Sequence, residues 1–195
     1  DPCTCKRRDI LEAASAPQEG GKPIIGPDGL VYPGTCRDKT RTPGSPRPRD
    51  AALRLDIRRA VRAQGYGFSE TGAGPEGQSG RISVHSDTLI HNIGDVVVSR
   101  RDMGTSYHLS VVIDDAAQQI THVTRGADLF DATRIHVVLQ ALLDLPTPVY
   151  HHHRLIRDTD GKRLAKRDDA RALSTYRAQG LGPDDIRQVL GIVLP

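Results

Sequence analysis

Between residues 95 and 156 the chain switches from one apolar spacing to another, and that switch limits its possible folds more than any other feature. "DVVVS" (95–99), "HLSVVIDD" (108–115) and "ITHVT" (120–124) are β-branched runs bounded by turn residues, which predicts three buried strands. The spacing then becomes helical: Ile135, Val138, Leu139, Leu142 and Leu143 fall at i, i+3, i+4, i+7 and i+8, with Asp131 as the expected cap and Pro146 and Pro148 as the stop. "VYHHHRLI" (149–156) reads as a further strand. A basic loop and two short helices follow, the second opened by Gly182-Pro183. Strands, helix, strand and helices in this order predict an α/β layer architecture.

The first 94 residues read differently. Gly- and Pro-rich stretches at 17–35, 42–48 and 72–80 predict loops. Only "AALRLDIRRAVRAQG" (51–65) points to regular structure, and Leu53, Leu55 and Ile57 fit a strand as well as a helix. The chain divides accordingly into 1–94, loop-rich, and 95–195, layered. At 195 residues and 37% apolar it can build one ordinary core or two small ones. Its longest apolar runs fall well short of the roughly 18 residues that a membrane span needs. Three cysteines cannot all pair, which favours a reducing compartment, so the expected location is the cytoplasm. The only methionine is Met103, and Asp1 is therefore expected to follow further sequence.

Two sets of residues stand out chemically. The first is Cys3-x-Cys5, followed across a loop-rich stretch by Tyr32-x3-Cys36, which brings a third thiol. Three thiolates would close most of a tetrahedron around a soft cation such as zinc, and three unrelated thiols fit the pattern as well. A fourth ligand would come from Tyr32, Asp1, Asp28 or water. The second set is "GKRLAKRDDA" (161–170), two cationic pairs on a glycine-led loop, preceded by Tyr107 and by Arg125 in "TRGAD". A guanidinium can fork two N–H groups onto a carboxylate and a tyrosine can add a hydroxyl. A surface ion pair and a half-buried core ring are the ordinary alternatives. Residues 37–59 and 151–171 are also locally basic, which fits either a solvated face or an RNA contact.

Taken in order, these residues resemble the second half of the catalytic domain of class I glutamyl-tRNA synthetases. In that family a Val-Asp-Asp strand end, an Arg-Gly-x-Asp turn and a late KMSKS loop follow one another. Arg163, Leu164, Ala165, Lys166 and Arg167 stand where the KMSKS signature would be, with Arg at the first lysine position, Ala in place of Ser, and Lys166 at the second lysine. Cys3, Cys5, Tyr32 and Cys36 resemble the Cys-x-Cys, Tyr-x3-Cys zinc site of the glutamyl-Q tRNA(Asp) synthetases, a short branch without an anticodon-binding domain.

The resemblance implies the second half of a Rossmann-like catalytic domain carrying a loop-rich, zinc-containing insertion. It assigns 1–94 to the insertion, and 95–195 to the catalytic half with its KMSKS-like loop and terminal helices. It implies a structural Zn2+ held by Cys3, Cys5, Tyr32 and Cys36, glutamate contacts from Tyr107 and Arg125, and ATP contacts from residues 163–167 with Lys166 as the catalytic cation. The implied reaction is activation of glutamate by ATP, expected with Mg2+, and transfer of the glutamyl group to queuosine in the anticodon of tRNA(Asp). A monomer without membrane attachment is expected. The family's HIGH-bearing segment would lie upstream of Asp1, so this stretch alone is expected to be inactive or nearly so. Two other readings stay open: a piece of a discriminating glutamyl-tRNA synthetase, and a noncatalytic zinc-containing RNA-binding module.

Three features are read as structural. "HNIGD" (91–95) is expected to be a turn, Asp114 and Asp115 to close a strand, and His151-His152-His153 to alternate faces of a strand so that they share no ion.

Overall fold

The computed structural model describes residues 1–15, 23–37, 46, 49–61, 65–157, 160–161 and 172–191. The chain forms two compact units, Asp1–His153 and Arg154–Pro195. In chain order the first contains β1 (Pro2–Cys3), α1 (Arg7–Ala14), β2 (Ile25–Gly26), β3 (Gly29–Leu30), β4 (Ala52–Arg54), α2 (Ile57–Ala60), β5 (Tyr66–Glu70), β6 (Gly80–Val84) and α3 (Ser86–Thr88). A π-helical turn (Leu89–Ile93), β7 (Val97–Ser99), α4 (Tyr107–Ala117), β8 (His122–Gly126), a 3-10 turn (Ala127–Leu129), α5 (Thr133–Leu142) and β9 (Val149–His153) complete it. The second unit contains α6 (Leu173–Ala178) and α7 (Pro183–Leu190).

The main sheet has the order β6-β5-β9-β8. β5 and β6 pair antiparallel over five residues, while β9 runs parallel to both β5 and β8. Because β8 and β9 are parallel, the chain must cross over between them, and α5 makes that crossing as a β-α-β unit. A smaller antiparallel sheet, β1-β4-β7, carries Cys3. Strands from both sides of residue 94 share these sheets: β4 pairs with β7, and β5 pairs with β9.

The core gathers on the α5 side of β5 and β9. Phe68 stands edge-on to both Phe130 and Tyr150, at centroid distances of 5.7 and 5.4 Å. Ile135, Val138 and Leu139 of α5 are buried against the same cluster. Each such side chain contributes about 1.5–3 kcal/mol on burial.

Local signals account for the elements, including those where the expectation fails. "HLSVVIDD" is a helix rather than a strand. The Ser106 side chain caps α4 by accepting from the Leu109 N–H at 3.3 Å, and the apolar face runs through His108, Val111 and Val112. The β preference of Val-Val-Ile is a weak prior, and a cap plus a helical burial face overrides it. Asp114 and Asp115 therefore lie in the last turn of α4. "HNIGD" is likewise not a simple turn: Leu89 and Ile93 are buried in the π-helical turn, and Gly94, at φ +67°, ends it. Asp131 does not cap α5, whose N-cap is Ala132; its carboxylate takes the Arg134 guanidinium instead. The segment 51–65 contains both alternatives in succession, β4 and then α2.

In the second unit α7 begins as expected, with Gly182 as N-cap, Pro183 behind it and Asp185 accepting the Gly182 N–H at 2.8 Å. Gly191, at φ +64°, caps its far end, and the Arg154 guanidinium donates to the Leu190 carbonyl. Among the described residues no helix is long and apolar enough to cross a membrane.

Candidate active site and metal centre

The thiols of Cys3, Cys5 and Cys36 lie within 4.8 Å of one another. Cys3 and Cys5 flank the end of β1, and Cys36 sits in the turn after the β2–β3 hairpin. The Tyr32 hydroxyl enters the same cluster, 3.5 Å from Cys3 Sγ and 4.0 Å from Cys5 Sγ. It also accepts the Cys36 backbone N–H at 2.8 Å. Burial pushes the Cys36 thiol up, but hydrogen bonds from Tyr32, Cys5 and the Thr4 backbone outweigh it and bring the pKa down to about 7. Burial, reinforced by Cys3, pushes the Tyr32 phenol far above its usual range. Three converging soft donors, one already near its thiolate form, fit a single metal ion. Tyr32 supplies an oxygen beside them, although its phenolate would need the charge of that ion to form.

The second site grows from β8 and α5. Arg125, near the end of β8, sends Nε to His152 Nε2 at 3.1 Å, Nη1 to His136 Nδ1 at 3.2 Å and Nη2 to Thr133 Oγ1 at 2.5 Å. Its guanidinium also lies 5.1 Å from the centre of the Tyr150 ring. Tyr107, at the start of α4, is half exposed, and its ring packs against His136 with centroids 5.8 Å apart. His136 thus touches both Tyr107 and Arg125, the two side chains expected to meet glutamate. Lys166 and the loop 163–167 lie outside the described residues.

Sequence reasoning missed the groups that surround Arg125. His152, Thr133, His136 and Glu70 are all buried. His136 Nε2 meets His108 Nδ1 at 3.0 Å, and His108 Nε2 lies 3.4 Å from Asp28 Oδ1. The Glu70 carboxylate accepts from His152 Nδ1, and its other oxygen accepts the backbone N–H groups of His152 (2.8 Å) and Gly72 (2.7 Å). Any side chain at residue 72 would put its Cβ 2.3 Å from the His152 carbonyl oxygen, so glycine is what lets this loop lie against β9. The alternation expected of His151, His152 and His153 holds: only His152 of the three points into the core. The strand alternation that turns His152 inward was the available signal for that residue; Glu70, whose partner across the strands is Tyr150, left none.

These charges respond to pH in one direction. Burial, aided by the positive charge of Arg125, lowers His136 from 6.5 to about 3. Burial also lowers His152, against the opposing pull of Glu70. Burial raises Glu70, but the His152 and Gly72 N–H donors outweigh it and the net shift is downward. For each group the unfolded chain binds the proton more readily, so stability is complete above the unfolded pKa and declines as pH falls below it. The melting midpoint should therefore fall between pH 6.5 and about 3, more steeply than in a His136→Gln variant. Parallel curves for the two proteins would show that His136 is not held neutral by burial.

The fold is that of a class I synthetase. A crystal structure of glutamate-tRNA synthetase from Elizabethkingia anophelis superposes with a TM-score of 0.57 over 86% of this chain and 32% of that one, at 21% identity. Residues 69–193 match the model of the catalytic domain of tRNA synthetases class I (E and Q), and the chain belongs to that family. Among curated relatives, a glutamyl-Q tRNA(Asp) synthetase of Rhodobacter capsulatus is 62% identical over 97% of this chain and 66% of its own length. The one of Symbiobacterium thermophilum is 37% identical over 95% of this chain and 52% of its own length. The chain thus spans about half to two thirds of these relatives.

Proposed function

We propose that the chain forms the part of a glutamyl-Q tRNA(Asp) synthetase that holds the amino acid and the departing pyrophosphate. The observation that carries this reading is the convergence of Tyr107 and Arg125 on His136, within a chain 62% identical to a protein of that name. Arg125 keeps a further N–H on each terminal nitrogen, and such a fork matches a carboxylate of free glutamate. In the first step a glutamate carboxylate oxygen attacks the α-phosphorus of ATP and the bond to pyrophosphate breaks, giving glutamyl-adenylate. In the second the glutamyl group passes to queuosine of tRNA(Asp) and AMP leaves. Lys166 stabilises the negative charge that develops on pyrophosphate. Cys3, Cys5 and Cys36, with Tyr32, would hold a structural zinc, which would brace the N-terminal segments.

An enzyme in which this chain replaces the matching segment of the Rhodobacter capsulatus relative provides the test. Incubated with ATP, glutamate and queuosine-bearing tRNA(Asp), it should place the glutamyl mass on the anticodon nucleoside. Label on the terminal ribose would instead identify a discriminating glutamyl-tRNA synthetase. Salt-sensitive tRNA binding without glutamate-dependent ATP–pyrophosphate exchange would identify an RNA-binding module. In the same assay Lys166→Ala should slow exchange more than it weakens glutamate binding. The 195-residue chain alone is expected to exchange far more slowly than the chimeric enzyme.

A further inference from the structure

Arg125 cannot accept a hydrogen bond, and this settles the state of the rings around it. Its Nε–H points at His152 Nε2, so that nitrogen is a bare acceptor and the ring proton sits on Nδ1, where Glu70 receives it. Its Nη1 points at His136 Nδ1, so the proton of His136 sits on Nε2 and is donated to His108 Nδ1. His108 must then carry its proton on Nε2, facing Asp28 Oδ1 at 3.4 Å. Every donor in the chain runs outward from the guanidinium, through neutral imidazoles, to a carboxylate at each end. Only one arrangement of protons satisfies it.

Glu70 is the buried end of this chain, 2% exposed, and the backbone around it fixes its orientation. One oxygen is held by the two backbone N–H groups, which leaves the other aimed at His152 Nδ1. We propose that Glu70 is a positioning residue for substrate: by selecting the Nδ1–H form of His152 it makes Nε2 an acceptor, and so sets the rotation at which Arg125 presents its free N–H edge to the glutamate carboxylate. This deepens the proposed function and rests on Arg125 being the carboxylate-binding residue.

The isosteric Glu70→Gln change separates the role from mere packing. The amide oxygen would stay with the two backbone N–H groups, and the amide NH2 would then face His152 Nδ1. That nitrogen must become the acceptor, the ring proton moves to Nε2, and two donors confront each other at Arg125. Nitrogen-15 NMR of the imidazoles should report Nδ1–H for His152 in this chain and Nε2–H in the variant. In the chimeric enzyme the variant's KM for glutamate should rise roughly ten- to a hundredfold, the scale of one lost charged hydrogen bond, with the KM for ATP little changed.

An Nε2–H signal for His152 in the unsubstituted chain overturns the proposal without recourse to any variant. So does a Glu70→Gln enzyme with unchanged KM for glutamate when Arg125→Ala is impaired; that pair of results removes the positioning role alone. An Arg125→Ala enzyme with normal KM for glutamate removes the assignment of Arg125, and the role of Glu70 with it.

Discussion

Replacing Cys36 with serine, or stripping metal with a strong chelator, is expected to unfold the N-terminal segments while leaving the β6-β5-β9-β8 sheet protected. Among the described residues, the small cluster that organises those segments consists of Cys3, Tyr32 and Cys36, with Cys5 and Ile10 as its partly buried hydrophobic neighbours. Its candidate ligands are thus also its core. α1 buries no residue fully, and β1, β2 and β3 are two residues each. Elements this short cannot offset the chain entropy of ordering them without a staple. A structural zinc supplies on the order of 10 kcal/mol, whereas serine at 36 offers a poor zinc ligand and leaves two thiols, Cys3 and Cys5, beside Tyr32. Hydrogen exchange should show the amides of residues 1–15 and 23–37 losing protection and those of β5 and β9 keeping it. Metal analysis should find one zinc per chain before substitution and none afterwards. Full protection of residues 1–15 and 23–37 in the chelated protein would sink the claim.

The second large effect is at Arg125. Arg125→Ala removes three hydrogen bonds at once; it leaves His136 Nδ1 as a buried acceptor facing a cavity and His152 Nε2 with the Thr133 hydroxyl alone, at 3.3 Å. Truncating one partner of a buried, charged contact costs about 2–5 kcal/mol. In the chimeric enzyme kcat/KM for glutamate should fall about a hundredfold or more on that scale, with the KM for ATP largely unchanged. Arg125→Lys should recover little, because a single ammonium cannot address His152, His136 and Thr133 in the planar geometry they are set to receive. Recovery of most of the activity by lysine would mean that only the charge matters and the fork does not.

Much of this was legible in the chain. The helical spacing of Ile135, Val138 and Leu139 gave α5, and Gly182-Pro183 gave α7. Cys3, Cys5 and Cys36 could be grouped because a metal site leaves its spacing in the sequence, whereas Tyr32 joined them only through the family likeness; the structure brings the four together. Tyr107 and Arg125 could be grouped only through the family likeness, and they meet across His136. α4 was misread because Val111, Val112 and Ile113 favour a strand by composition, while the deciding cap, Ser106, lies outside the run. The Glu70–His152 pair left no local trace. Its members are 82 residues apart, and nothing short of the β5–β9 pairing puts them side by side.

Asp95 carries a last consequence. This buried carboxylate receives the Ile57 N–H at 3.0 Å and the Arg37 Nε at 2.8 Å, and its carbonyl takes the Arg54 guanidinium at 2.8 Å. Arg37 directly follows the third thiol. A single acidic side chain therefore clasps the thiol-bearing turn to the start of α2, whose Ile57 belongs to the main core. Inherited change on either side is not independent of the other: a charge-removing replacement at 95 would loosen both attachments together, and a later repair at 37 could restore only one.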